Sequence, residues 1–304
     1  MQNAGSLLVV GRTGQLARAL AAVANERKLP LIAIARPELD LGDAESIERI
    51  LGACVPRAII NAAAYTFVDK AESEPDLAFK INRDGAAHVA RLAKRLRVPF
   101  IHVSTDYVFD GSKETPYRED DRPSPLGIYG RSKRDGEIAV LDSYASAVIL
   151  RTSWIYSPYG HNFVKTMLRL AEAREPIRVV DDQYGAPTSA RDLAQAIIEI
   201  IEQIEGRPEK SFGGIYHLTA AGETTWYGFA AAIFRGWAGR GRRIPTIEAI
   251  TTADYPTPAR RPVNSRLDCS KAARIFGIRL PHWRQGLETC LDELAIGEMS
   301  TQSC

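Results

Sequence analysis

Residues 6–17 read Ser-Leu-Leu-Val-Val-Gly-Arg-Thr-Gly-Gln-Leu-Ala, and this stretch decides the fold. Its first half carries consecutive apolar residues without polar alternation, which is typical of a strand buried on both faces. From Leu16 to Val23, apolar residues recur at helical spacing. Between the two elements, Gly11 and Gly14 predict a tight turn, because glycine adopts backbone conformations that other residues avoid. The stretch therefore predicts a strand, a turn and a helix in succession.

A turn of this kind can hold a phosphate group. Glycine lets a phosphate approach the backbone amides at the N-terminus of the following helix, where the helix dipole favours negative charge. Ala17 is small enough for the helix to pack closely on the sheet. We therefore predict dinucleotide binding at this turn, with Gly11 and Gly14 in contact; the alternative is a turn with a purely structural role.

The rest of the chain repeats this alternation of strand and helix. Further apolar runs predict strands, with helices between them near residues 44–51, where Asp43 is the predicted N-cap, and near residues 82–97. The predicted strands cover residues 31–35, 57–61, 99–103, 147–152, 177–181 and 214–218. Such alternation is typical of the α/β class, here a Rossmann-type doubly wound sheet of mostly parallel strands with right-handed crossovers.

The pattern loosens after about Trp154, where helical segments and the proline-rich residues 256–262 dominate. We expect a smaller α/β C-terminal domain that binds the substrate and packs over the carboxyl ends of the strands. The predicted nucleotide-binding domain comprises residues 1–154 plus about 189–218, and the substrate-binding domain comprises about 155–188 plus 219–304.

Composition limits the classes of function. The 304 residues are 45% hydrophobic and 25% charged, and 39 basic against 37 acidic residues give a formal net charge of +2. Without a basic cluster, nucleic acid is not an expected partner, and the N-terminal apolar run is too short for a signal peptide or a membrane span. Cys54, Cys269, Cys290 and Cys304 are widely separated, which argues against a zinc site or a disulfide framework. We expect a cytoplasmic protein that does not bind membranes.

The end of the second predicted strand bears on which dinucleotide would bind. An acidic side chain at this point hydrogen-bonds a ribose 2′-hydroxyl and favours NAD. The strand instead ends Ile34-Ala35-Arg36. A guanidinium can pair bidentately with a 2′-phosphate, so Arg36 favours NADPH, with NADH as an alternative. The other interpretation of Arg36 is a solvated surface residue.

A second motif, Tyr129-Gly-Arg-Ser-Lys133, begins a helical segment. The i,i+4 spacing places Tyr129 and Lys133 on one helix face, with Cβ atoms about 5–6 Å apart. A phenol with its usual pKa of about 10 is a poor proton-transfer catalyst at neutral pH. We expect the ammonium of Lys133 to lower the pKa of Tyr129 and to hydrogen-bond the nicotinamide ribose.

A third motif, Ser104-Thr-Asp-Tyr-Val-Phe-Asp-Gly111, directly follows the strand predicted at residues 99–103. Ligands of open parallel sheets bind at the carboxyl ends of the strands. A hydroxyl there can donate to a carbonyl oxygen on which charge develops. Thr105 is the first candidate and Ser104 the second; the alternative is a cluster that only caps a turn.

Thr105, Tyr129 and Lys133 match the Ser/Thr-Tyr-Lys triad of short-chain dehydrogenases. More narrowly, the chain resembles the dTDP-4-dehydrorhamnose reductase family, which belongs to the extended type of these enzymes. The likeness spans nearly the whole chain, and its later segments are more specific than a fold signature. The segments that carry it are GRTGQL (11–16), NAAAYTFVDKAESEP (61–75), STDYVFDG (104–111), RTSWIY (151–156), NFVKTML (162–168), DQYGAPT (182–188) and ADYPTPARRP (253–262).

The resemblance implies roles for individual residues. Besides Gly11 and Arg36, the residues implied to bind the cofactor are Gly14, Gln15 and Leu16 at the pyrophosphate, Asp43 and Ala44 at the adenine, Ala64, Tyr65 and Thr66 along the cofactor, Val103 at the nicotinamide, and Tyr129 and Lys133. The residues implied to bind the substrate are Thr105, Asp106 and Trp154 at the hexulose, and Arg260 and Arg261 at the diphosphate. For Trp154 the alternative is core packing, and for the two arginines it is a solvated loop.

The reaction implied by the resemblance is hydride transfer from NADPH to C4 of dTDP-4-dehydro-L-rhamnose (dTDP-6-deoxy-L-lyxo-4-hexulose). The product is dTDP-L-rhamnose, and this is the last step of dTDP-L-rhamnose biosynthesis. Tyr129 would supply the proton, Lys133 would tune Tyr129, and Thr105 would polarise the carbonyl. Two alternatives stay open: a reductase of a different nucleotide-linked 4-keto sugar, because pocket shape selects the sugar, and a non-catalytic NADP-binding regulatory subunit, because a fold does not settle activity.

One departure from the family pattern concerns a metal. Some members of the family form dimers through Mg²⁺ held by acidic side chains of both subunits. Two of the corresponding positions here are Ala19 and Arg191, which are not Mg²⁺ ligands, and only Glu293 keeps a carboxylate. We therefore expect no metal site, and a monomer or a metal-independent homodimer.

Overall fold

The computed structural model describes residues 5–172 and 176–302, so the outer ends of the two predicted domains and Cys304 lie outside the described residues. The strands are β1 (Leu7–Val10), β2 (Leu31–Ile34), β3 (Ala58–Asn61), β4 (Phe100–Thr105), β5 (Val148–Thr152), β6 (Ile155–Tyr156), β7 (Ile177–Val180), β8 (Tyr184–Gly185), β9 (Thr188–Ser189), β10 (Gly214–His217), β11 (Thr224–Thr225) and β12 (Ile247–Ile250). The α-helices are α1 (Gln15–Glu26), α2 (Ala44–Gly52), α3 (Val68–Ala71), α4 (Pro75–Phe79), α5 (Ala86–Leu96), α6 (Ile128–Ser143), α7 (Phe163–Leu170), α8 (Ala190–Glu205), α9 (Trp226–Ala238), α10 (Ser270–Phe276) and α11 (Trp283–Gln302). A π-helical stretch covers Lys80–Gly85, and 3-10 turns cover Asp106–Val108 and Thr252–Asp254.

Six strands form one sheet in the order β10-β5-β4-β3-β1-β2. All neighbouring strands in it are parallel, and Asn61 at the end of β3 is the register partner of both Val10 and His102. This arrangement confirms the predicted Rossmann-type parallel sheet. The strand predicted at residues 177–181 belongs to a separate two-stranded sheet, in which β7 pairs with β12.

Helices cover both faces of the sheet. Leu7 and Val9 of β1 belong to the core under α1 and α8, whereas Leu8 and Val10 belong to the core under α2, α5 and α6. Burial on both faces explains the unbroken apolar runs of the sequence, because neither face needs polar side chains. Phe276 of α10 also packs into the first of these cores.

A third apolar core lies beyond the sheet, among α7, α9 and α11. Its centre is aromatic: the ring centroid of Phe229 lies 5.4 Å from that of Tyr156 and 5.7 Å from that of Trp283. The side chain of Gln15, at the start of α1, donates to the carbonyl of Ile155 at 3.3 Å. That bond joins the glycine turn to the segment that leads into this core.

The proline-rich segment returns to the central sheet. The amide of Ala259 donates to the carboxylate of Asp69 at 3.1 Å. Farther on, the side-chain amide of Asn264 donates to the carbonyl of Thr115 at 3.0 Å. The segment is therefore held by the short helix α3, which follows β3, and by the loop that follows β4.

The helices also bear on the expectation about membranes. Among the parts of the chain that the structure describes, no helix combines the length and the apolar composition that crossing a bilayer requires. The long helix α11, for example, carries the charged residues Arg284, Glu288 and Asp292 within three turns.

A buried ion pair joins α6 to the middle of the sheet. The side chains of Glu137 and Arg151 are each 2% exposed, and the guanidinium donates to both carboxylate oxygens at 2.8 and 2.6 Å. The hydroxyl of Ser104 donates to the same carboxylate at 2.6 Å. Arg151 also lies over the ring of Phe109 and within 3.5 Å of Nε2 of His217. Each buried charge therefore has several partners, as a low-dielectric interior requires.

We expect Arg151→Met to lower the free energy of unfolding by about 3–5 kcal/mol, because Glu137 would be left charged and unpaired in the interior. The exposed pair of Arg95 with Glu48 gives a matched control. Both of its side chains are more than half exposed, so Arg95→Met should cost less than about 1 kcal/mol. Urea unfolding followed by circular dichroism measures both variants, and equal small losses would contradict a special role for the buried pair.

Candidate active site

The glycine turn leaves the N-terminus of α1 uncovered. Gly11 has φ +121°, a conformation that other residues rarely adopt. Among the residues that the structure describes, a Cβ atom added at Gly14 would meet nothing within 4 Å, and no side chain caps the helix. Leu16 is buried, and the side chain of Gln15 is directed to the carbonyl of Ile155. Gly14, Gln15 and Leu16 can therefore offer backbone amides to an anion, whereas the amide of Gly11 donates to the carbonyl of Ile34 at 2.8 Å.

Two guanidinium groups lie near the end of β2. Arg36 is exposed, and among the described residues its side chain makes no hydrogen bond or ion pair. Arg12, inside the glycine turn, donates to the carbonyl of Ala33 at 3.3 Å and pairs with Glu38 at 3.1 Å. Sequence reasoning missed Arg12, although a basic residue between two glycines was the available signal. An uncovered helix N-terminus next to two cations fits a dinucleotide with an additional phosphate.

The residues predicted at the adenine lie at the start of α2. Asp43 caps this helix, and its carboxylate accepts from the amide of Glu45 at 3.0 Å. Ala44 is the first helical residue. The predicted cap is therefore confirmed, and one carboxylate oxygen of Asp43 is already engaged by the helix.

The loop after β3 is held by hydrogen bonds from the side chain of Asn82. The side-chain amide of Asn82 accepts from the amide of Tyr65 at 2.8 Å and donates to its carbonyl at 3.1 Å. The hydroxyl of Tyr65 donates to Glu74 at 2.7 Å, and Tyr65 is buried. Ala64 is half-buried and Thr66 is exposed. Of the three predicted residues, Ala64 and Thr66 thus present side chains toward solvent, while Tyr65 anchors the loop.

The side chains of Thr105 and Tyr129 lie next to each other at the end of β4. Thr105 is the last residue of this strand, and Tyr129 lies in the first turn of α6. Burial raises the pKa of Tyr129 to about 12; the neighbouring hydroxyl of Thr105 opposes this rise, and the nearby carboxyl of Asp106 adds to it. The structure therefore brings together two of the three predicted catalytic side chains and keeps the phenol protonated at neutral pH.

Lys133 is directed away from that pair. Its Nζ donates to the carbonyl of Val103 at 2.8 Å and lies 3.3 Å from Nε2 of His102. Burial lowers the pKa of Lys133 to about 8, and the carboxylate of Glu137 acts in the opposite direction. The expectation that Lys133 lowers the pKa of Tyr129 is not met: burial has the largest effect on this pKa and raises it.

Asp106 is 3% exposed and directly follows Thr105. Its Oδ1 accepts from the hydroxyl of Thr105 at 2.9 Å, while its Oδ2 has no hydrogen-bond partner among the described residues. Burial raises the pKa of Asp106 to about 6, and the nearby hydroxyls of Ser265 and Thr105 oppose this rise. A buried oxygen without a partner beside two hydroxyls is suited to accept a hydrogen bond from a ligand.

Trp154 follows β5 in the left-handed conformation, with φ +48°. Its ring stacks on that of Trp226 with centroids 3.6 Å apart. A Cβ atom added at Gly185 would lie 2.5 Å from the Trp154 ring, so this glycine makes room for it. Trp154 remains half-buried, and packing on Trp226, which the sequence analysis did not single out, fixes the position of its ring.

The two predicted arginines of the proline-rich segment are in different settings. Arg261 pairs with Asp69 at 2.8 Å and also donates to the carbonyl of Ala259. Arg260 is exposed and lines a cavity together with Tyr129. Of these two arginines, only Arg260 has a guanidinium that forms no salt bridge with the described residues.

The positions that suggested a metal in the related proteins do not fit one here. Arg191 pairs with Glu26 at 2.6 Å and lines one cavity with Ala19 and Glu293. Within the described ranges, no group of three or more His, Cys, Asp or Glu side chains could hold a metal ion. A guanidinium in this cavity would repel Mg²⁺.

A parallel doubly wound sheet with a glycine turn after β1, and with Thr105, Tyr129 and Lys133 around the end of β4, defines the class of extended short-chain dehydrogenases and reductases. Residues 5–296 match the model of a family described as the RmlD substrate binding domain. The chain belongs to this family.

Individual relatives agree with the family assignment. The chain is 47% identical over 279 residues to a dTDP-4-dehydrorhamnose reductase of Sinorhizobium fredii, a match that covers 92% of this chain and 94% of the relative. The crystal structure of a dTDP-4-dehydrorhamnose reductase of Clostridium acetobutylicum superposes with a TM-score of 0.88 at 33% identity, covering 95% of this chain and 99% of that one. That of Bacillus anthracis, in complex with NADP, gives 0.87 at 35% identity with the same coverage.

The setting of Asp106 predicts an unusual titration. We expect its carboxyl to take up a proton at a pKa of about 6, because burial penalises the charged form. Thr105→Val should raise this pKa further, since it removes a hydrogen bond that stabilises the carboxylate. ¹³C NMR of aspartate-labelled protein measures both, with Asp106→Asn to assign the signal. A midpoint at the ordinary aspartate value of about 4 would show that water reaches this carboxyl.

Proposed function

We propose that the chain is an NADPH-dependent reductase that converts dTDP-4-dehydro-L-rhamnose to dTDP-L-rhamnose, the last step of dTDP-L-rhamnose biosynthesis. The observation that carries the proposal is the proximity of two hydroxyls, those of Thr105 and Tyr129, at the sheet edge that also bears the glycine turn. The identity of 47% to a relative with this name supports the choice of substrate.

The cofactor lies along the carboxyl edge of the sheet in this proposal. Backbone amides at the N-terminus of α1 hold its pyrophosphate. The residues proposed to hold it are Gly11, Gly14, Gln15 and Leu16 at the pyrophosphate, Arg36 at the 2′-phosphate, Asp43 and Ala44 at the adenine, Ala64, Tyr65 and Thr66 along the edge, Val103 at the nicotinamide, and Tyr129 and Lys133 at its ribose. When bound, NADPH supplies the hydride; NADH is the alternative reductant.

Tyr129 acts as the acid. Because its pKa is raised to about 12, the phenol keeps its proton at neutral pH and can give it to the alkoxide that forms at C4. Thr105 donates to the same oxygen while negative charge develops on it. The protonated phenol is the form that a reduction needs at its start.

The substrate occupies the edge next to these hydroxyls. The free oxygen of Asp106 accepts from a sugar hydroxyl, and the exposed part of the Trp154 ring covers the hexulose. Arg260 meets the diphosphate, since Arg261 is already paired with Asp69.

For the larger organisation we propose the division expected from the sequence. Residues 1–154 plus about 189–218 bind the cofactor, and about 155–188 plus 219–304 bind the sugar nucleotide, with α10 packed against the first unit. The ion pair of Arg191 with Glu26 supports a monomer or a dimer that needs no metal. Cys269 and Cys290 are unbridged thiols, which supports a reducing, cytoplasmic location.

Purified protein should oxidise NADPH when dTDP-4-dehydro-L-rhamnose is added, measured as loss of absorbance at the nicotinamide band. Tyr129→Phe should lower kcat by about 10²–10⁴-fold, the usual contribution of a positioned acid, and leave the Kd for NADPH close to wild type. Tyr144→Phe is the matched control: it removes a tyrosine hydroxyl just beyond the other end of α6, which donates to the carbonyl of Val98.

The same assay separates the alternatives. Preferred turnover of a different nucleotide-linked 4-keto sugar would favour a reductase of that sugar. NADPH binding without turnover of any keto sugar would favour a regulatory subunit. If Tyr129→Phe retained activity, another group would be the source of the proton.

We expect Arg36→Ala to raise the Kd for NADPH by roughly 10–100-fold, the value of a hydrogen bond between charged groups, and to change the Kd for NADH little. Arg91→Ala, at an exposed position of α5, is the control for loss of surface charge. Fluorescence titration with each dinucleotide gives both constants. An equal loss of affinity for the two would remove the 2′-phosphate role of Arg36.

A further inference from the structure

Three buried polar side chains lie in a row beneath the carboxyl edge. Asn61 ends β3, His102 is its register partner on β4, and Lys133 projects from α6. Their residues are 1%, 1% and 2% exposed. Polar groups this deeply buried must satisfy one another, so their hydrogen bonds determine which atoms carry protons.

The contacts form one continuous chain. The amide of Ala63 donates to Oδ1 of Asn61 at 3.3 Å. Nδ2 of Asn61 lies 3.1 Å from Nδ1 of His102, and Nε2 of His102 lies 3.3 Å from Nζ of Lys133. Nζ finally donates to the carbonyl of Val103 at 2.8 Å.

The direction of these bonds follows from the first of them. Because Oδ1 of Asn61 accepts from a backbone amide, its NH₂ group faces His102, and Nδ1 of the imidazole must accept. Burial holds the pKa of His102 well below its usual value, so the ring is neutral and carries one proton. That proton is on Nε2 and points at Lys133. If Lys133 were an ammonium, one of its N–H groups and Nε2–H of His102 would be two donors facing each other with no acceptor between them.

We propose that Asn61 and His102 are positioning residues that set the protonation state of Lys133 by stabilising its uncharged amine. Nε2–H of His102 donates to the amine lone pair, and the amine donates to Val103. The inference rests on the proposed function only in that Lys133 belongs to the catalytic site.

Protonation of Lys133 then requires the hydrogen bonds between Lys133, His102 and Asn61 to reverse their direction. The Nε2 proton passes to Nζ, Nδ1 takes a proton from solvent, and the unit gains one proton in total. Nδ1–H now needs an acceptor, so the amide of Asn61 turns its oxygen toward His102. The amide of Ala63 thereby loses its partner and becomes able to donate elsewhere. A charge on Lys133 and a free donor at Ala63, next to the loop proposed to line the cofactor, therefore arise together.

Other titratable groups face Lys133 from its own helix and from the sheet. Glu137, one turn later on α6, favours the charged form of the amine. Its carboxylate is held by Ser104 of β4 and Arg151 of β5. Tyr129 lies one turn earlier. The Asn61–His102 pair and Glu137 thus act on Lys133 in opposite directions.

The test measures the pKa of Lys133 directly, by ¹³C NMR of the full chain labelled at lysine Cε, with Lys133→Arg to assign the signal. Asn61→Leu frees the imidazole from its imposed tautomer and should raise this pKa by about half a unit. Asn61→Asp keeps the shape, accepts from both neighbours and should raise it by about one unit or more. No turnover is needed, so a failed reductase assay would leave this result interpretable.

A double-mutant cycle with His102→Phe separates the hydrogen-bond row from simple charge effects. In that background Asn61→Leu should leave the pKa of Lys133 unchanged, and Asn61→Asp should keep only part of its effect, because the carboxylate charge still acts. The proposal is overturned if Asn61→Leu has no effect in the wild-type background, or an equal effect when His102 is absent. Should Asn61→Leu not fold, an Asn61→Asp shift of the same size in both backgrounds overturns it as well.

Discussion

The parallel register of the central sheet is the constraint on which the rest of the structure depends. Since all six strands run in one direction, their carboxyl ends meet at one edge. Gly11, Asn61 and Thr105, which are far apart in sequence, follow or end three of these strands. A reversed or displaced strand would move its polar end away from the others, and no site would form.

Burial of polar groups at this edge carries a large free-energy cost, and the structure offsets it with pairs and rows of hydrogen bonds. Glu137 and Arg151 satisfy each other beneath α6, and Asn61 and His102 satisfy Lys133. The same burial raises the pKa of Tyr129 and lowers that of Lys133. An acid that keeps its proton and an amine that releases its own easily therefore follow from one cause, the exclusion of water.

Arginines that the sequence does not distinguish have different partners in the structure. Arg260 and Arg261 are adjacent, yet Arg261 is bound to Asp69 while Arg260 stays exposed. Arg12 and Arg36 both lie near the end of β2, but only Arg12 has an acidic partner. Competition among nearby carboxylates, rather than residue type, decides which cation remains available to an anionic ligand.

The sequence by itself determined the order of strands and helices, the glycine turn and the cap at Asp43, because these depend on residues close together in the chain. It also placed Tyr129 and Lys133 on one helix face. Only the tertiary structure decided where their side chains point: Tyr129 meets Thr105, whereas Lys133 turns to His102. Partners such as Arg12 with Glu38, or Asn61 with His102, depend on strand packing over long sequence separations, and local patterns carry no information about them.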